Sequence, residues 1–221
     1  MFHFRINRIK ISDTKEYNSS LIFEPKSSVI KFINFITTEN SLLPDMSYFL
    51  KTTDISQKKI VLRQVIKKVI STRIYKEINP MADDHTLLFG TPGYVLYKSN
   101  QVPNNFEWQF IACENDQDMG DEGQMLENIV NDSNFTNFTN YLAGSIGKTD
   151  NPSHSAAVSI ARYALNVTSR IAQQNHNALL GISYTSLNRR QHYIYGGRKK
   201  ERISDLTNNV FVDYSIFGYD E

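Results

Sequence analysis

The chain has 221 residues, 40% of them apolar, with 24 basic and 23 acidic side chains and a formal net charge of +1. That balance excludes a disordered chain and argues against nucleic-acid binding through bulk charge, leaving local patches as the source of any polyanion contact. A lone cysteine, Cys113, cannot build an internal disulfide or a cysteine-rich zinc site and reads as a small buried hydrophobe.

The chain opens on MFHFRINRIKI. Phe2, Phe4 and Ile6 alternate with polar residues, and Ile9 and Ile11 resume the pattern after a one-residue phase shift. This predicts an edge-compatible strand with a bulge. Arg5, Arg8 and Lys10 deny the segment the apolar core of a secretory leader, and no window is long and apolar enough to span a membrane. Both features predict a cytoplasmic or assembly-associated protein. Ser20–Phe23 reads as a short partner strand stopped by Pro25.

Val29–Thr37 has apolar pairs at 29/30, 32/33 and 35/36. The pairs fit a buried helix and the β-branched content fits a strand. Ser27 and Ser28 as caps tip the reading to a helix. Asp54–Ser71 is clearer. Ile60, Val61, Leu62, Val65, Ile66, Val69 and Ile70 form one face of an amphipathic helix. Lys58, Lys59, Arg63, Lys67 and Lys68 give it a basic outer face, and Asp54 with Gln57 has capping-box spacing.

Arg73–Ile78 and His85–Lys98 read as extended, the second punctuated by Gly90-Thr91-Pro92-Gly93. A turn at Asn104-Asn105 leads into a strand over Phe106–Cys113. Helices follow at Met125, Ile129 and Val130, then at Phe135 to Gly144. Pro152 and Ser153 open the longest helix, ending near Asn175–Asn177; its small residues at 156, 157, 161, 164 and 172 predict close packing. The remainder reads as β: Ala178–Leu187, Gln191–Tyr195, a Gly196-Gly197 turn, and Val210–Tyr219. Strands at both ends with helices between them predict a single domain over 1–221, with a helical insertion at about 122–176, whose terminal strands meet.

The run FEWQFIACENDQDMGD (106–121) ends in carboxylates. Asp116, Asp118 and Asp121 form a candidate site for Ca²⁺, which takes six to eight oxygen ligands in irregular geometry. Asp116, Asp118 and Glu127 fall at positions one, three and twelve of an EF-hand-like loop, but Asp121 occupies the position that needs glycine, which rejects that motif. The plainer reading is a solvated loop whose acids cap the next helix.

A second basic group comprises Arg189, Arg190, Arg198, Lys199, Lys200 and Arg202, interleaved with His192, Tyr193 and Tyr195. Such a group can meet an anionic membrane surface or an acidic protein; the alternative is a charged hairpin tip protecting a sheet edge. Neither Asp83-Asp84-His85 nor Asn175-His176-Asn177 has zinc-site spacing. No nucleophile-elbow, dinucleotide or phosphate-loop motif occurs.

The succession FEWQFIACENDQDMGD, NHNALLGISYTSL (175–187) and NNVFVDYSIFGYD (208–220) resembles C2-like β-sandwich domains. The resemblance covers residues 86–118 and 175–221. It implies acidic loops joining strands at one end of a sandwich, and basic strand residues that contact anionic lipid or protein. Asn177 stands where such domains often carry Asp, and the helical insertion departs from their pattern. The expected fold is therefore α+β, mainly an antiparallel β-sandwich of about seven or eight strands. The expected function is a non-catalytic interaction or assembly module with a cation-binding acidic loop and a protein or homo-oligomeric partner. Two alternatives stay open: a structural subunit of a large phage-like or injection-type assembly, and a hydrolase using Asp116 or Asp118 with His85 or His176.

Overall fold

The computed structural model describes residues 1–14, 29–41, 46–76, 83–114, 122–146, 152–174, 179–193 and 199–218. The elements run β1 (Phe2–Ile11), β2 (Val29–Thr38), α1 (Met46–Lys51), α2 (Ile55–Val69), β3 (Ile70–Lys76), β4 (His85–Leu88), β5 (Tyr94–Ser99) and β6 (Asn105–Glu114). They continue with α3 (Glu122–Val130), α4 (Phe135–Ile146), α5 (Pro152–Gln174), β7 (Leu179–Asn188), α6 (Arg189–His192), β8 (Lys199–Ser204) and β9 (Val210–Gly218). The expected strand at Ser20–Phe23 and the turn at Gly196-Gly197 lie outside the described residues.

Two antiparallel sheets result. The first has the order β4-β1-β9-β8, with β5 also pairing β1; the second has the order β3-β2-β6-β7. The terminal strands meet as the sequence predicts, β1 pairing β9 from Phe2↔Gly218 to Ile11↔Val210. The edge-compatible β1 is not an edge strand: it lies between β9 on one side and β4 with β5 on the other.

Layering follows from the side chains of β2 and β6. Ile30, Phe32 and Ile36 join Phe106, Trp108 and Phe110 in a core against the first sheet. On the opposite face, Ile33 and Phe35 join Ile111 and Cys113 in a core against the helices. Strands β2 and β6 are thus buried on both faces. This corrects the helix expected at Val29–Thr37. A strand with no solvent face carries no polar residues at period two, so its alternation vanishes from the sequence.

The inter-sheet core is aromatic. Phe4 of β1 packs on Trp108 with ring centroids 4.8 Å apart and on Tyr214 at 5.3 Å. The buried indole donates its Nε1–H to Asn34 Oδ1 at 3.1 Å, so a polar atom in that core is satisfied. On the other side α5 packs across β2, β6 and β7. Ala156, Ala157, Ala161, Ala164 and Ala172 are buried there, as the small-residue pattern predicts. Helices α2, α3 and α4 pack against α5, so the helical layer draws on α2 as well as on the segment after β6.

One corner joins the two sheets. Buried Asp205 accepts hydrogen bonds from the backbone N–H groups of Thr207, Asn209 and Val210 at 2.9, 2.7 and 2.8 Å. Asn209 Nδ2 then donates to Leu180 O of β7 at 2.9 Å and to Asp13 O at 2.8 Å. Close approach here requires Gly181, since a Cβ at that position would lie 2.6 Å from Val210 Cγ2.

Candidate interaction face

The one-residue phase shift in β1 is a real bulge: the register against β9 slips between Ile6 and Arg8, leaving Asn7 as the extra residue. Its consequence is a sorting of charge. Phe2, Phe4, Ile6, Ile9 and Ile11 all enter the inter-sheet core. His3 and Arg5 before the bulge, and Arg8 and Lys10 after it, occupy positions on the opposite face. Without the slip, strict alternation would turn either the second apolar pair or the first outward.

The bulge is held by its neighbours. Phe89 N–H donates to Asn7 O at 3.1 Å and Ser215 Oγ donates to Asn7 Oδ1 at 3.3 Å. The turn between β4 and β5 folds against it. Gly93 has φ of 68°, and a Cβ there would lie 2.7 Å from Asn7 Oδ1 and 3.0 Å from Ile6 O. Both conformation and space therefore demand glycine. Arg5 Nη1 donates to Pro92 O in the same turn at 3.2 Å.

Partners of the cations come from distant strands. Arg8 Nη2 lies 2.7 Å from Asp213 Oδ2, and Arg202 Nε lies 2.6 Å from Asp213 Oδ1, so one carboxylate is shared by two guanidiniums. Lys10 Nζ lies 2.7 Å from Asp84 Oδ1. Arg5 and Lys98 make no ion pair among the described residues, and both act on His3, which pairs in register with Lys98. Burial, and then the charges of Arg5 and Lys98, hold the His3 imidazole below its ordinary pKa. Apolar side chains share this face: Leu88, opposite Arg8, is 74% exposed and Val95, opposite Arg5, is 42% exposed. Among the described residues no helix packs on it.

An open cavity of about 590 Å³ lies between the Gly90–Thr91 turn and the Arg202–Asp213 pair, with Asn7 and Glu201 also in its lining. The mixed charge of its walls selects neither an anion nor a cation. Tyr214 donates to Glu201 Oε2 at 2.6 Å, and burial followed by this bond raises the phenol's pKa. A neutral, hydrogen-bonded tyrosine of this kind braces β9 against β8.

Asp116, Asp118, Asp121, His176 and Arg198 lie outside the described residues. Among the described residues no group of three or more His, Cys, Asp or Glu is arranged to hold a metal. Asp83 instead accepts from Thr14 N–H at 3.1 Å, and Asp84 pairs with Lys10. Cys113 is fully buried, as expected.

The basic outer face assigned to α2 is largely a packed face. Lys58 is 9% exposed and lies over the Phe49 ring. Lys59 donates to Asn131 Oδ1 at 2.7 Å, and Arg63 pairs with Glu127 at 2.6 Å. Lys67 remains exposed, and Lys68 follows it in the helix. Phe49 of α1, Glu127 of α3 and Asn131 just after α3 supply these contacts, and only the fold brings the last two to α2.

The second basic group divides. Arg189 and Arg190 begin α6, a short helix where a strand over Gln191–Tyr195 was expected; Asn188 caps it through Gln191 N–H. The capping box at Asn188 and Gln191 accounts for the helical start; residues 194 and 195 of the expected strand lie outside the described residues. His192 is buried against Phe2 and Phe106, its Nε2 bonded to Pro103 O at 2.8 Å, and is not part of a basic surface. Lys199, Lys200 and Arg202 lie in strand β8, so the expected hairpin tip is an edge strand.

A polar cluster on the helix side of β6 and β7 has a structural purpose. Tyr184 and Ser186 donate to Glu107, the latter at 2.7 Å, while Arg162 of α5 donates to Tyr184 Oη at 2.7 Å and stacks on its ring. It pins the longest helix to β7. No protein-family model matches the chain, and no curated protein matches it in sequence.

Proposed function

We propose that this protein is a non-catalytic interaction and assembly module, a C2-like sandwich whose contact surface is the outer face of the first sheet. The observation that carries the reading is an asymmetry between the sheets. The central strands of the second, β2 and β6, send side chains into cores on both faces, whereas the first presents Arg5, Arg8 and Lys10 beside exposed Leu88 and Val95. Mixed arginine and apolar character is the composition of protein contact surfaces. The C2-like part of the proposal is supported by the two packed antiparallel sheets; the helical layer over the second sheet is this chain's departure from it.

Site-specific photo-cross-linking tests the assignment. A photoreactive residue at Val95 or Leu88, in cells that make the protein naturally, is expected to give discrete higher-mass adducts. The same residue at Tyr141, 65% exposed on α4, is expected to give none. Absence of adducts from both sheet positions would overturn the assignment.

A further inference from the structure

We infer that the partner meets this face with an acidic protein surface, seated along the cationic row of β1 with Lys98 beside it. The inference rests on the reading of the first sheet as a contact surface and names what that surface selects.

Charge is the first argument. Arg5, Arg8, Lys10, Lys98 and Arg202 share the face, while only Asp213 and Asp84 pair with them. The excess is concentrated at one end. Arg8, Lys10 and Arg202 are matched to carboxylates, and Arg5 and Lys98 are not. Outward positions along one strand repeat at about 7 Å and neighbouring strands lie about 4.8 Å apart. These spacings are within a physiological Debye length of about 8 Å, so the row acts as one patch of positive potential.

The character of the face distinguishes the partner classes. Asp213 lies in the middle and occupies donors of both Arg8 and Arg202, so these two guanidiniums have fewer donors left for a phosphate backbone tracking the row. A protein surface can place a polar or apolar group opposite that point. The exposed Leu88 and Val95 flank the row and gain from contact with apolar side chains, which a nucleic-acid backbone lacks. A second copy docking by the same face about a two-fold axis would oppose cation to cation, which costs binding energy. The occupant is therefore a different, acidic protein surface.

Fluorescence anisotropy with the full chain tests this, using as probes a labelled peptide of Glu-Glu-Leu repeats, oligo-dT of equal charge, and phosphatidylserine vesicles. The peptide is expected to bind most tightly, more weakly as salt rises, and about tenfold more weakly to an Arg5→Ala/Lys98→Ala variant. Lys67→Ala on α2 is expected to bind as the parent does. Should the double variant lose its cooperative thermal transition, Lys98→Glu with Lys10→Glu replaces it, with the same expected loss. Tighter binding of oligo-dT or of vesicles, no binding of the peptide, or equal binding by the charge variants would overturn the inference. Adducts from Val95 in cells alongside a failed peptide experiment would leave the contact surface standing and remove only its acidic partner.

Discussion

The two sheets of this protein use the same strand geometry for opposite ends. In the second sheet, β2 and β6 send apolar side chains both ways, into the aromatic inter-sheet core and beneath α5. In the first, β1 sends them one way only, and the Asn7 bulge keeps Arg5, Arg8 and Lys10 together on its other side, where β9 adds Phe211 and Phe217. Core packing and surface charge are thereby separated. The central layer carries the packing energy, and the outer face of the first sheet is free to carry charge that contributes little to folding.

The largest break in that comparison should come from the shared core. Trp108→Ala removes a buried indole that contacts Phe4, Phe110 and Tyr214. It also leaves Asn34 Oδ1 unpaired, so a loss of about 3–5 kcal/mol in urea unfolding is expected. Next is the corner. Asp205→Ala strands three backbone donors that the carboxylate now accepts, and a loss of about 2–3 kcal/mol is expected by the same measurement. Gly181 shares the corner, and Gly181→Ala is expected to cost about 1–3 kcal/mol through overpacking.

A pH effect follows in size. Burial lowers the pKa of His192 in the folded protein. Its neutral form is therefore favoured by folding, and the unfolded chain takes up the proton first. Stability is full above the ordinary histidine pKa of about 6.5 and is lost as pH falls through the lower folded value. Urea midpoints at pH 7 and pH 5 should show this fall, and His192→Gln should reduce it; an equal fall in both proteins would remove His192 as its source.

The smallest effect is expected on the outer face. Arg202→Ala opens an ion pair in which Arg202 is 56% exposed and Asp213 27% exposed. A change below about 1 kcal/mol is expected. A loss above about 2 kcal/mol would show that this face holds the fold together and would blur the division between the sheets.

Parts of this division could be read from residue order. The alternation of β1 on either side of Asn7 and the long small-residue face of α5 follow from local periodicity, and the meeting of the terminal strands from the order of β and α segments. β2 did not, because burial on both faces erased its signal. The charged face was hidden for another reason. Arg5, Arg8 and Lys10 read only as an obstacle to a secretory leader, since their company, Asp213, Arg202 and Lys98, comes from remote strands. The lysines of α2 misled in the opposite sense: in sequence they are a basic stripe, and in the fold Glu127, Asn131 and Phe49 absorb most of it. The corner at Asp205 was also silent, because backbone donors have no letter in the sequence.

The pairing of β1 with β9 imposes an order on synthesis. Phe2 finds Gly218, and Ile11 finds Val210, only after some two hundred intervening residues have left the ribosome, about 10–40 s at ordinary elongation rates. Until then Phe2, Phe4, Ile6, Ile9 and Ile11 have no partner strand on that side, while β2, β6 and β7 can already assemble beneath α5. The nascent chain therefore passes through a stage in which β1, already able to pair with β4 and β5, keeps its other edge open until the last strand is made.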